Sequence, residues 1–82
     1  MKYTETQIRD GVRSLVASVT ERNASEISDT ADFTNDLGID SVTAMELMVS
    51  MDKKYGIDIP EAEFTAIRSV NQAVTAVQRY VS

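Results

Sequence analysis

Cysteine, histidine and tryptophan are all absent from the 82 residues. Without Cys there is no disulfide, thiolate metal site, redox pair or sulfur nucleophile, and without His the usual general base and the commonest zinc ligand are missing. Proline occurs once, glycine three times, and aromatic residues make up 6%. A chain so poor in breakers, yet 43% hydrophobic and 26% charged, is neither fibrous nor disordered; it has the composition of one small globular domain over residues 1–82. At this length folding buries only roughly 60% of the unfolded surface, so the core is thin and each large apolar side chain counts.

Long apolar runs are lacking too. The longest, such as Leu47-Met48-Val49, falls far short of the roughly 20 residues of a membrane-spanning helix. The start, Met1-Lys2-Tyr3-Thr4-Glu5-Thr6, has no apolar region of a secretory signal. The expectation is a free-standing cytoplasmic protein with no membrane partner.

Positive charge is scarce: 8 basic residues face 13 acidic ones, for a net charge of -5 at pH 7. That balance repels phosphate backbones and argues against nucleic acid as a partner. The asymmetry is local. Residues 24–63 hold ten acids and only Lys53 and Lys54 as bases, a balance of -8, whereas the two ends together balance at +3. An acidic middle steers basic partners in a salt-sensitive way, although surface charge also serves solubility alone. The acids do not form an EF-hand loop. Counted from Asp32, with Thr34 and Asp36 following, Leu37 occupies the required Gly position and Thr43 the required Glu position. No metal site is expected.

What the chain does have is helical periodicity. Ile8, Val12, Leu15, Val16 and Val19 recur at spacings of three and four, predicting a helix from about Thr4 to Val19 that opens with a capping box of Thr4 and Gln7. Gly11 weakens its interior by roughly 1 kcal/mol relative to Ala. From Thr20 to Asp40 the pattern dissolves into a long loop, which Ile27, Ala31, Phe33, Leu37 and Ile39 are placed to pin. Asp40 or Ser41 caps a second helix reaching about Tyr55, stopped by Gly56. After an extended Ile57-Asp58-Ile59, Pro60 with Glu61 and Glu63 suits the first turn of a short helix anchored by Phe64 and Ile67. A last helix opens at Ser69, with Gln72 completing a second capping box, and carries Val70, Ala73, Val74, Val77 and Val81. The predicted fold class is all-α, a small bundle of three main helices plus one short one.

The second helix is apolar around well over half its circumference. Leu47, Met48 and Met51 suffice for one packed side, which leaves Val42, Met45 and Val49 as a second stripe at spacings of three and four. On pattern alone this stripe serves equally as core or as an interaction face.

The stretch before that helix reads Asp36-Leu37-Gly38-Ile39-Asp40-Ser41-Val42. It is not a hydrolase elbow, because Gly-x-Ser-x-Gly is absent and no His completes a triad. Taken alone, Asp-Ser before an apolar run is most often a helix cap. The whole chain, however, resembles the acyl carrier protein family. Asp36-Leu37-Gly38-Ile39-Asp40-Ser41-Val42, then Glu46-Leu47, then Ile59-Pro60 follow the family's landmarks in order and spacing across nearly the full length.

The resemblance implies that Ser41 accepts 4'-phosphopantetheine from coenzyme A through a phosphopantetheinyl transferase. The arm's phosphodiester would then lie against the amides and positive dipole end of the second helix, with Asp36 and Asp40 opposing by repulsion. It also implies a non-catalytic, monomeric carrier, with Asp36, Asp40, Val42, Met45, Glu46, Val49 and Asp52 as the recognition surface. Its partners would be an acyltransferase, ketosynthase or other synthase enzyme with a basic docking surface. Met45 is expected to face partners and Leu47 and Met51 the bundle, with Val42 and Val49 suited to either. Lys53 and Lys54 stand where fatty-acid carriers usually continue with acids, so the resemblance leans toward polyketide assembly lines. Two alternatives remain. One is an aminoacyl or peptidyl carrier of nonribosomal synthesis, from whose usual motif Asp40 and the lone Gly38 depart; the other is a cofactor-free acidic interaction domain.

Overall fold

A computed structural model describes residues 3–81. Its elements are α1 (Glu5–Thr20), a single 3-10 turn (Ala24–Glu26), α2 (Ser41–Tyr55), α3 (Glu61–Phe64) and α4 (Val70–Val81), with no strand among the described residues. The all-helical bundle predicted from periodicity is the observed architecture.

α1 begins with the expected reciprocal cap: the Gln7 amide donates to the Thr4 hydroxyl at 3.1 Å, and the Thr4 amide donates to the Gln7 side chain at 2.9 Å. Two orphan donors of the first turn are thereby satisfied. Ile8, Val12 and Val16 are fully buried, while Leu15 and Val19 flank the core partly covered. The helix ends at Thr20, one residue beyond the expected boundary, and is capped by Glu21, a left-handed residue at φ 55°. Its neighbour Arg22 donates back to the Ala17 carbonyl at 2.9 Å, closing the last turn.

The long segment between α1 and α2 is pinned as expected. Ile27, Phe33, Leu37 and Ile39 all lie in the core, and Ala31 is partly buried. Polar ties hold the rest. The Asp32 carboxylate accepts from the Thr34 and Asn35 amides at 3.0 and 2.8 Å and pairs with both Nε and Nη2 of Arg68. Phe33 donates its amide to the Arg68 carbonyl at 2.7 Å. Asp29 bridges Arg9 and Arg13 of α1, and its carbonyl accepts from the Asn71 amide of α4 at 3.1 Å.

α4 buries Val70, Ala73, Val74, Ala76 and Val77 and packs mainly on α1, which also carries α2. Its predicted capping box is only half formed. Gln72 donates its amide to the Ser69 hydroxyl at 3.3 Å, but its side chain accepts from the Arg68 amide at 2.6 Å rather than from Ser69. With the Arg68 carbonyl held by Phe33, the Arg68 N–H is the donor turned toward Gln72. α2 stops at Gly56 (φ 62°), a left-handed conformation that costs glycine nothing. Pro60 introduces the four-residue α3, whose Phe64 is buried.

No helix among the described residues is long and apolar enough to cross a membrane.

Candidate functional site

The Asp36–Ser41 stretch is a buried and exposed alternation. Leu37 and Ile39 point into the core, while Asp36, Gly38, Asp40 and Ser41 are exposed. Two core side chains therefore anchor the approach to α2 and leave the polar residues between them facing solvent. The Ile39 amide donates to the Phe33 carbonyl at 2.8 Å, and the Asp36 carboxylate accepts from the Asp32 amide at 2.7 Å. The chain is thus delivered to the start of α2 by a braced loop.

Asp40, not Ser41, is the cap. Its carboxylate accepts from the Thr43 amide at 2.8 Å. Hydrogen bonds from the Thr43 amide and hydroxyl, with a smaller contribution from the Val42 amide, hold the Asp40 carboxyl below the usual carboxylate range. This division of labour frees Ser41. It is the first residue of α2, exposed, and its hydroxyl is bonded to no described residue.

An exposed, unbonded primary hydroxyl on a rigid helix start is sterically fit to receive a covalent arm. Of the first-turn amides, that of Thr43 is taken by the Asp40 carboxylate. An anion attached to Ser41 would meet repulsion from that carboxylate.

Ser41 stands on the rim of a cleft of about 340 Å³ between α2, α3 and the long loop. Phe33, Ile39, Leu47 and Phe64 form its apolar wall, and Arg68 lies at its edge. The sequence reading cast Phe64 as an anchor and did not single out Arg68. Nothing in their spacing signals that they approach Ser41, since the association is made by the fold.

Along α2 the two apolar stripes separate. Leu47 and Met51 are fully buried and Met48 partly so, whereas Val42, Met45 and Val49 are 69%, 46% and 45% exposed. The choice that pattern left open is resolved: Val42 and Val49 join Met45 on the outer face. Glu46 is exposed beside them. Asp52 sits differently from the others, half-buried, with its carboxylate accepting from the Ile59 amide at 3.2 Å.

The ion pairs sharpen the charge pattern. Arg9, Arg13, Arg68 and Arg79 pair with Glu5, Asp10, Asp29, Asp32 and Glu63. Asp36, Asp40 and Glu46 have no cationic partner among the described residues. The acids left uncompensated around Ser41 face the same solvent as the apolar stripe.

An exposed serine on a braced loop thus stands beside an apolar stripe and acids with no cationic partner among the described residues. The family profile of a phosphopantetheine attachment site matches residues 10–77. The "Polyketide-8 synthase acyl carrier protein 2" of Streptomyces avermitilis is 42% identical over 62 residues, covering 76% of this chain and 71% of that protein. The "Acyl carrier protein" of Cyanidioschyzon merolae is 36% identical over 77 residues, covering 94% and 85%. Among solved structures, the apo doublet acyl carrier protein from prodigiosin biosynthesis superposes with a TM-score of 0.80 at 27% identity over 92% of this chain, which spans 36% of that longer one.

The chain belongs to the acyl carrier protein family, whose members bear a covalent 4'-phosphopantetheine. The cofactor-free interaction domain is thereby set aside.

Proposed function

We propose that this chain carries acyl intermediates as thioesters on a 4'-phosphopantetheine attached to Ser41, as a single-domain, monomeric, cytoplasmic and non-catalytic component of polyketide or fatty-acid-type biosynthesis. One observation supports the assignment above the rest: Ser41 is exposed and its hydroxyl bonds to no described residue, while the neighbouring Asp40 caps the helix. The polyketide branch is favoured by the Streptomyces avermitilis relative.

When bound, the arm supplies a terminal thiol that holds the acyl group. The chain's own residues keep the attachment point rigid, through Asp40 on the Thr43 amide and through Leu37 and Ile39 in the core. A short flexible tether on such a point gives an effective concentration on the order of millimolar at a docked enzyme's active site. Val42, Met45 and Val49 present area to partners, and Asp36, Asp40 and Glu46 attract a phosphopantetheinyl transferase and synthase enzymes with basic docking surfaces. Met45 suits repeated docking because its side chain adapts to differently shaped sockets.

The absence of Cys makes the test simple. The purified protein has no thiol to titrate. After incubation with coenzyme A and a promiscuous phosphopantetheinyl transferase it should gain one titratable thiol and one phosphopantetheinyl mass. Ser41→Ala should gain neither; a thiol appearing in that variant would place the arm elsewhere.

A further inference from the structure

The solvent face of α2 carries a charge pattern in register with its apolar stripe. Val42, Glu46, Val49 and Lys53 follow one another at spacings of four, three and four, which places them in one row along the helix. All four are exposed. At about 1.5 Å per residue, Glu46 and Lys53 stand about 10 Å apart along the axis with Val49 between them. Neither forms an ion pair with any described residue. The face is therefore bipolar, with Asp36, Asp40 and Glu46 toward the Ser41 end and a cation toward the other.

We propose, on the basis of the carrier reading above, that Lys53 selects the partner. The synthase surface that receives α2 sets a basic group against Glu46 and an acidic group about 10 Å farther along against Lys53, on either side of an apolar socket for Val49. A uniformly basic surface attracts the Ser41 end and is repelled at Lys53, so the lysine works against such enzymes as well as for the matching one. Opposite charges at fixed spacing also set docking direction, because reversing the helix places like against like at both ends. Favourable interaction with the C-terminal end of the α2 dipole does not distinguish Lys53, because Lys54 supplies it equally. Lys54 lies about 100° around the helix from Lys53, with its ammonium 6.0 Å from the centre of the Tyr55 ring. It is the natural control.

The probe is the polyketide-8 synthase of Streptomyces avermitilis, whose own acyl carrier protein 2 is 42% identical to this chain. Each variant is first brought to the modified form and checked by mass, so that loss of the carrier role itself shows there and not in the kinetics. KM is then measured at low salt, or Ki against the enzyme's own carrier where turnover is absent. Lys53→Glu should raise the constant about threefold or more with kcat unchanged, Lys53→Arg should leave it within about twofold, and 0.5 M salt should erase the difference. Lys54→Glu should stay within about twofold. A Lys53→Glu constant that rises less than threefold or falls, an equal effect of Lys54→Glu, or a modified wild-type protein that neither serves nor inhibits this synthase overturns the inference.

Discussion

The hydroxyl of Tyr55 occupies the space that a Cβ on Gly11 would fill. The ring comes from the last turn of α2, stacks edge-on against Tyr3 at 5.2 Å, and donates its hydroxyl to the Ile8 carbonyl at 3.2 Å. Glycine in the middle of α1 is thus the residue that lets α2 close onto it.

Gly11→Ala tests this relationship. Helix propensity alone favours alanine by roughly 1 kcal/mol, but overpacking a buried, hydrogen-bonded ring costs about 1 to 3 kcal/mol. The expected net result is lower stability in urea unfolding. Adding Tyr55→Phe removes the obstructing oxygen, so Gly11→Ala should be better tolerated in that background than in wild type. Equal effects in both backgrounds would contradict the steric account.

The two faces of α2 should separate under mutation. Leu47→Ala opens the core and is expected to cost about 2 to 5 kcal/mol, while Val49→Ala on the outer face should stay within about 0.5 kcal/mol. Met45→Glu should keep the helical circular dichroism and yet slow acyl transfer to the partner. A Met45→Glu protein with unchanged transfer rates would remove that residue from the docking surface.

Acid stability should report the Arg68–Asp32 pair. Hydrogen bonds from the Arg68 side chain and then from the Asn35 amide lower the Asp32 carboxyl from 3.8 to about 2. Because the folded state holds the ionised form more tightly than the unfolded chain does, this contribution is complete above about pH 4 and is lost as pH falls toward about 2. Unfolding midpoints measured across that window should fall less steeply in Arg68→Met than in wild type. Identical slopes would show that the pair contributes nothing there.

Asp40 should have two separable roles. Asp40→Asn keeps a side-chain oxygen for the Thr43 amide and should preserve stability while slowing modification of Ser41 about two- to fivefold at low salt. Asp40→Ala should lower both. If Asp40→Asn is modified as fast as wild type, its charge does not steer the transferase.

Features encoded within a few residues of one another were legible in the sequence. Thr4 and Gln7 specify a cap three residues apart, Gly56 marks the end of α2, and Ile27, Phe33, Leu37 and Ile39 could be read as pins because apolar residues in a polar loop have few other uses. The two stripes of α2 were visible as stripes, but which one faced solvent depended on where α1 lies. Contacts made by distant segments left no local trace. Gly11 read only as a helix weakness until Tyr55 was placed against it, and Arg68 carried no sign that it would grip Asp32, 36 positions away. The left-handed Glu21 was equally silent, because no glycine or asparagine marks that turn. The position of Ser41 came from its motif; its freedom from hydrogen bonds came from the observed choice of Asp40 as the cap.

The most direct test of the central claim is residue-level localisation of the arm. Wild-type protein is treated with coenzyme A and the transferase, digested, and fragmented in the mass spectrometer. The account predicts a single phosphopantetheinyl group, found on the peptide that contains Ser41 and assigned by its fragments to that side chain. A group on any other serine or threonine, or none in an assay that modifies a known carrier, would contradict it.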